Sequence, residues 1–485
     1  MDSLHITTSI PYVNGLPHVG FALELVQADA LARYHRLRGR SVRFQTGTDE
    51  HAQKNVLAAR ALGVPTRELV DRNAAAFAGL LPALEVAADD FVRTTEPRHR
   101  AAVEAFWRRL RRGDLYVQPY RGLYCSGCED FYQASELRDG ACPEHGVPPV
   151  AVEEQNVFFR LSAYQAPLER LIEAGVLRIT LEARRREVWA FVRSGLRDFS
   201  VSRSAARSNG WGIPVPQDAS QVIYVWVDAL VNYLTGPGLG GVPGDDWERW
   251  WAPTARVVHC IGKNVWKFHA VYWPALLLSA GFPVPQEIFV HGFLTAEGRK
   301  IGKSLGNAID PRAVAREVGV DALRWALLRG VPAAADGDFA LARVRALYTD
   351  ELAHGIGNVV RRVASLAQRA GVAAGSLPDA PAAPEGYIAA FEGYAFDEAA
   401  GALRAPVDAV NRAIEATRPW ELLRRGERAA AAGLVQRWVL ELWPVAWWLE
   451  PLLPSAAGRV RDALRQLRGD GPALFPALAD SASAK

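Results

Sequence analysis

Cysteine is scarce in this chain, with four in 485 residues. That is far too few for a disulfide scaffold of such length, so a reducing compartment, the cytoplasm, is expected. No apolar run approaches the roughly 20 residues of a membrane span. The first residues, "MDSLHITTSIPY", have neither the basic nor the apolar region of a signal peptide, so neither membrane nor export is expected. An excess of one charge is also missing. Fifty-six Lys and Arg face 53 Asp and Glu, for a net charge of +3. Any polyanion-binding surface must therefore be local, built from the plentiful arginines.

What is present suffices for a full core. The apolar fraction is 49% and the charged fraction 22%, ordinary for a globular protein, and the length implies more than one domain. The first half alternates strand-like and helix-like patterns. "LHITTSI" reads as a strand, 19–39 as a helix and "SVRFQTG" (41–47) as a second strand, followed by helical periodicity to about residue 112. Residues 113–205 break that rhythm with turns, cysteines and β-rich pieces such as "EEQNVFFRLS". Strand-like runs return at 221–227 ("QVIYVWV"), 255–262 ("ARVVHCIG") and 287–293 ("EIFVHGF"), with a helix "KFHAVYWPALLLSA" between the last two. The simplest topology is one parallel sheet interrupted by an insertion. This divides the chain into a first half of the sheet domain (1–112), the insertion (113–205) and a second half (206–340). Residues 341–485 are rich in Ala, Leu and Arg at helical spacing and read as a bundle, broken by a loop at 371–386.

Three features carry chemistry. The turn "PYVNGLPHVGFALE" lies between the first strand and helix and places His18-x-Gly20 where a helix N-terminus can meet phosphate. Alone it is weak, because a loop histidine is more often a surface residue. The Gly-rich loop "EGRKIGKSLGNAIDP" (297–311) holds Lys300, Lys303 and Ser304, cations suited to a triphosphate whose charge grows on the leaving pyrophosphate. A solvated basic loop is the plainer interpretation of the lysines, but the pair of elements is far more specific than either. Cys125-x-x-Cys128, then Cys142-x-x-His145, has the ligand types and spacing of a structural zinc knuckle without an open position. Cys260, inside an apolar strand, reads as a buried thiol.

In order and spacing, "PYVNGLPHVG", "GTDEH", "GLYCSGCEDFY", "YVWVDALVNY", "IGKNVWKFHAVYWP" and "VHGFLTAEGRKIGKSLGN" resemble the methionyl-tRNA synthetases of class I, over nearly the whole chain. The resemblance implies an α/β fold. It consists of a split Rossmann-type catalytic domain with a zinc-knuckle connective insertion, followed by an α-helical anticodon-binding bundle. It makes His18-Val19-Gly20-Phe21 the first ATP motif and Lys300-Ile301-Gly302-Lys303-Ser304 the second, with His18, Lys300 and Lys303 catalytic and Glu24, Gly262 and Asn264 further ATP contacts. The implied cofactors are ATP, Mg²⁺ and structural Zn²⁺. The amino group of the substrate would be held by Asp49, oriented by Arg203, and by the carbonyl of Ile10. Its side chain would lie among Tyr12, Trp226, Ala229, Leu230, Tyr233, Val265 and His269. That surface suits a polarizable thioether. Asn358, Arg362 and Trp420 match the residues that bind and stack anticodon bases, with Arg361 and Arg418 near enough in sequence to contact phosphate.

The ATP motifs depart from the family at Phe21, where a second phosphate-side histidine is usual, at Asn264, usually Asp, and at Gly302. Losing one charged contact to phosphate is worth about 1.5–3 kcal/mol, or roughly one to two decades in rate. The site should be slowed, not abolished. Three activities therefore stand open at this stage: a monomeric methionine–tRNA ligase, a paralogue that adenylates methionine or another small amino acid for a small-molecule acceptor without tRNA, and a non-catalytic tRNA-binding protein.

Overall fold

A computed structural model of the chain describes residues 3–125, 130–132, 134–143, 146–241, 247–296, 298–301, 307–332, 335–373 and 375–478. The chain forms two compact units. One comprises Met1–Pro17, Arg40–Leu81 and Ala87–His291, and the other His18–Gly39, Pro82–Val86 and Gly292–Lys485.

In the first unit six parallel strands lie in the order Asp90–Arg93, Ser41–Thr48, Ser3–Thr8, Arg256–Gly262, Glu287–His291, Arg178–Thr180. Their inner members are buried along almost their whole length. That is why they read as continuous apolar runs rather than alternating ones. The strand order reverses between Ser3–Thr8 and Arg256–Gly262, and the carboxyl ends of a sheet diverge at such a point to leave a ligand crevice. Trp251, Trp273 and Phe106 are fully buried in the core of this unit. The insertion forms a separate antiparallel sheet in which Leu115–Cys125 pairs with Val150–Phe159 along ten positions. Arg178–Thr180, from the same stretch of sequence, instead joins the edge of the parallel sheet.

Two expectations are corrected. The run 221–227 is not a strand of the parallel sheet. Asp218–Ile223 pairs antiparallel with Ser202–Ser204 and Pro214–Val215, and the chain turns at Tyr224 into a helix, Val225–Leu230. An unbroken apolar run is compatible with a buried strand or a buried helix, and this one is half of each. The span from 48 to 112 is not purely helical either, because it contains the edge strand Asp90–Arg93.

The second unit contains the helix Val19–Leu37 and the C-terminal helices, with Asn358–Ala370, Phe396–Thr417, Arg428–Trp448 and Pro454–Gln466 the longest after residue 340. The residues described between Gly371 and Gly386 form no helix or strand, as the Pro- and Gly-rich composition implies.

Candidate active site

Past the carboxyl end of Ser3–Thr8, the Ser9 amide donates to the Cys260 carbonyl (3.2 Å), and the Asp49 amide donates to Pro11 (2.9 Å). Tyr12 and Asp49 also form a parallel bridge. The segments expected to bind an amino group thus meet at the reversal of strand order. Asp49 is buried, and its Oδ1 accepts from the His51 amide (3.2 Å). Arg203, also buried, lies 3.8 Å above the Tyr224 ring and donates from Nη1 to Ser200 Oγ (2.9 Å) and the Ser202 carbonyl (2.7 Å).

The expected side-chain pocket assembles in the same unit. Trp226 stacks on Phe268 with ring centroids 3.7 Å apart and presents an edge-on arrangement to Tyr12 at 6.3 Å. Ala229 and Leu230 are buried on the helix that carries Trp226, while Val265 packs against the core. Tyr233 hydroxyl and His269 Nε2 are 2.7 Å apart, and His269 Nδ1 lies 2.9 Å from the Val265 carbonyl. A carbonyl only accepts, so these partners assign the proton to Nδ1 and leave Nε2 to accept from Tyr233. Burial holds the ring neutral by pushing its pKa down to about 4, outweighing the Val265 carbonyl. The pocket is therefore aromatic, uncharged and fixed in tautomer. Trp226 and Tyr233 do not share one continuous helix face, because they lie on successive short helices, Val225–Leu230 and Asn232–Thr235.

Gly262, expected to contact ATP, ends the strand Arg256–Gly262, and Asn264 lies two residues beyond it. Asn264 is exposed, and a Cβ on Gly262 would stand 3.1 Å from its Oδ1. In the second unit His18 caps the helix Val19–Leu37, its Nδ1 accepting from the Gly20 amide at 3.1 Å. In the neutral ring that bond puts the proton on Nε2. The Val19 amide donates to the Ile309 carbonyl (3.0 Å), so the chain just beyond the lysine loop is tied to the first turn of this helix. Phe21 and Glu24 are buried. Lys303, Ser304 and Gly302 lie outside the described residues, and of Lys300 only the backbone is described, in a strand paired with Leu294–Ala296.

Asn358, Arg361, Arg362 and Trp420 line one cavity of about 530 Å³, together with His354 and Arg369. Arg362 donates to Asn411 (2.9 Å) and Glu415 (2.7 Å). Trp420 is only partly buried, unlike a core tryptophan. Of the zinc candidates, Cys125 and Cys142 are buried, with Cys142 Sγ 3.5 Å from the Tyr132 hydroxyl. Cys128 and His145 lie outside the described residues. Cys125, at the end of the strand Leu115–Cys125, and Cys142 are thiols, donors of the right kind for zinc.

Sequence reasoning passed over a buried polar group beside the pocket. Asp228 lies 2.6 Å from His51 Nδ1 and 2.7 Å from His99 Nε2, and His99 Nδ1 is 2.9 Å from Thr235 Oγ1. Burial works against the carboxylate, but His51 and His99 overcome it and hold Asp228 down at about 2. His51 and Asp228 both fall inside motif segments, yet nothing in their spacing reveals that they meet.

Comparison with known proteins identifies the family. The sequence profile of the family described as "tRNA synthetases class I (M)" matches residues 4–148 and 134–364. The methionine–tRNA ligase of Rhizobium meliloti (strain 1021) is 40% identical over 476 residues, covering 94% of this chain and 91% of that protein. That of Mycobacterium bovis is 40% identical over 492 residues, covering 96% and 92%. Mycobacterium tuberculosis methionyl-tRNA synthetase in complex with methionyl-adenylate superposes with a TM-score of 0.88 at 37% identity, covering 99% of this chain and 98% of that one. The apo form of that enzyme gives 0.83 at 34% identity, covering 99% of each chain. A buried aromatic pocket at the strand-order reversal, a His-capped helix tied to the segment after a lysine loop, and likeness along almost the full length of these enzymes lead to one conclusion: the chain belongs to the methionyl family of class I aminoacyl-tRNA synthetases.

Proposed function

We propose that the chain is a methionine–tRNA ligase. It joins methionine to ATP as methionyl-adenylate with release of pyrophosphate, then transfers the methionyl group to the terminal ribose hydroxyl of tRNA. The observation that carries this reading is the pocket at the strand-order reversal. The buried carboxylate of Asp49 is bridged to Tyr12, whose ring meets Trp226 edge-on, and Tyr233 and His269 pair in the same unit, which supports an uncharged aromatic wall beside Asp49. An ammonium is matched by the first and a polarizable thioether by the second.

The reaction needs alignment and charge stabilisation more than covalent chemistry from the protein. His18 Nε2–H and the start of the helix Val19–Leu37 would hold phosphate oxygens, with Gly20, Phe21 and Glu24 in its first turns. Lys300, Lys303 and Ser304 would face the leaving pyrophosphate with Mg²⁺, and Gly262 and Asn264 the nucleoside. Asn358, Arg362 and Trp420 would receive anticodon bases. Cys125, Cys128, Cys142 and His145 would hold a structural zinc ion that fixes the tip of the insertion. The division at 112, 205 and 340 into split catalytic domain, insertion and helical domain follows the same reading, as do a monomeric state and the cytoplasm. Among the described residues no helix is long and apolar enough to cross a membrane.

ATP–pyrophosphate exchange with each amino acid in turn, followed by charging of methionine tRNA, tests the proposal. Methionine-dependent exchange with charging supports it. Exchange with another amino acid, or with methionine but no charging, overturns it in favour of transfer to a different acceptor. Absence of exchange leaves RNA binding alone.

A further inference from the structure

The amino-acid site is made of two pieces of chain that share no element. The loop after Ser41–Thr48 carries Asp49, and the helix Val225–Leu230 carries Trp226, Ala229 and Leu230. One side chain joins them. Asp228, fully buried on that helix, reaches His51 Nδ1 with Oδ2 (2.6 Å), while the His51 backbone amide donates to Asp49 Oδ1 (3.2 Å). Its other oxygen takes His99 Nε2 (2.7 Å), and His99 is anchored in turn on Thr235 (2.9 Å). The His51 ring also packs edge-on against Trp211 (5.9 Å), whose Nε1 donates to the Glu50 carbonyl (2.8 Å). The loop is therefore gripped at the two residues that follow Asp49, Glu50 and His51, and Asp228 refers the His51 contact to the helix that forms the side-chain wall.

We propose that Asp228, acting through His51, is a positioning residue that sets the distance between the amino-group carboxylate and the side-chain pocket, and so the selectivity for an α-amino acid. The inference rests on the amino-acid site described above. A carboxylate suits this task because it accepts from two donors at once in charge-assisted bonds, and its attachment to a helix fixes both. An amide in its place presents an N–H to one of the two rings.

The test is steady-state exchange kinetics of wild type, Asp228→Asn and His51→Leu, with 4-(methylsulfanyl)butanoate, methionine without its amino group, as competing ligand. Losing a partner that orients a ligand-binding group typically costs 10–100-fold in affinity. The KM for methionine is expected to rise by about that factor in each variant, with the KM for ATP and the inhibition constant of the des-amino analogue unchanged. The double variant should be no worse than the poorer single one, because both changes break one link. His51→Asn, whose amide N–H stands near the lost Nδ1–H, should recover part of the loss. An unchanged KM for methionine, an equal loss for methionine and analogue, or additive effects would overturn the inference while leaving the proposed activity intact. If Asp228→Asn does not fold, His51→Leu and His51→Asn decide alone, since the His51 side chain is 11% exposed and Asp228 keeps His99. A wild type without methionine-dependent exchange removes both.

Discussion

At the scale of single residues, the spacing of His18 and Gly20 has a steric cause. The His18 ring folds back to accept the Gly20 amide, and a Cβ at position 20 would fall 2.9 Å from His18 Cε1. Any larger residue would displace the cap, which is worth about 1 kcal/mol to the helix and fixes which ring nitrogen faces outward. Phe21 has no such reason. It is buried in the first turn, at the position that the motif resemblance matches to a second phosphate-side histidine. Phe21→His is therefore expected to raise the exchange rate roughly 10–100-fold, the kinetic equivalent of about 1.5–3 kcal/mol. A rate equal to or below wild type would show that the chain reaches phosphate by other groups. Tyr12, Trp226, Tyr233 and His269 could be named from the sequence because each is a distinctive type at a matched position. Asp228, His51 and His99 were not, since an ionisable residue within an apolar stretch gives no sign of its partner across more than a hundred positions.

At the scale of elements, hydrophobic period and punctuation located most helices and strands, and failed where burial erased the period, at 218–230. Long-range ties between elements left even less trace. Arg324, on the helix Val320–Arg329, is fully buried and donates to Asp29 Oδ2 (2.8 Å) and to the carbonyls of Leu452 (2.9 Å) and Leu84 (2.9 Å). Asp29 lies on the helix that His18 caps, so one guanidinium fastens that helix to the C-terminal helices. Arg324→Met removes the buried guanidinium that faces the Asp29 carboxylate and should cost about 3–5 kcal/mol, read as a lower urea midpoint. A loss below about 1 kcal/mol would mean that Asp29 is neutralised without Arg324. The helix Asn358–Ala370 presents Asn358, Arg361, Arg362 and Arg369 to one cavity because they recur at helical spacing. Trp420→Ala removes the indole from the lining of that cavity. Stacking of a base on an aromatic ring is worth about 1–3 kcal/mol, so the KM for tRNA should rise roughly 5–150-fold with methionine-dependent exchange unchanged. A KM for tRNA equal to wild type would remove Trp420 from RNA recognition.

At the scale of the whole molecule, near-neutral net charge hides an uneven distribution of titratable groups, because several of the ten histidines are sealed in the first unit. Burial, with the nearby Arg43 charge, pushes His5 down to about 3, and burial pushes His269 down to about 4. Burial together with the neighbouring His269 and His5 drives His259 well below its ordinary value. In the unfolded chain each ring titrates near 6.5. Below that pH the unfolded state binds protons that the folded state refuses, so stability is full above about 6.5 and falls as pH drops, by about 1.4 kcal/mol per pH unit for each such ring. Asp228 behaves separately. Its folded value of about 2 lies below the ordinary carboxylate range, so its contribution persists down to about pH 4 and is lost only between there and about pH 2. Acid loss of stability between pH 6.5 and 5 is thus assigned to buried imidazoles and not to carboxylates. Urea midpoints measured at intervals from pH 7.5 to 5 should decline steeply, and His269→Gln, which keeps a hydrogen-bonding side chain but cannot take a proton, should flatten the decline by about 1.4 kcal/mol per pH unit. An unaltered slope in that variant would mean that His269 charges without unfolding the pocket, and the neutral aromatic wall proposed for the thioether would then fail along with it.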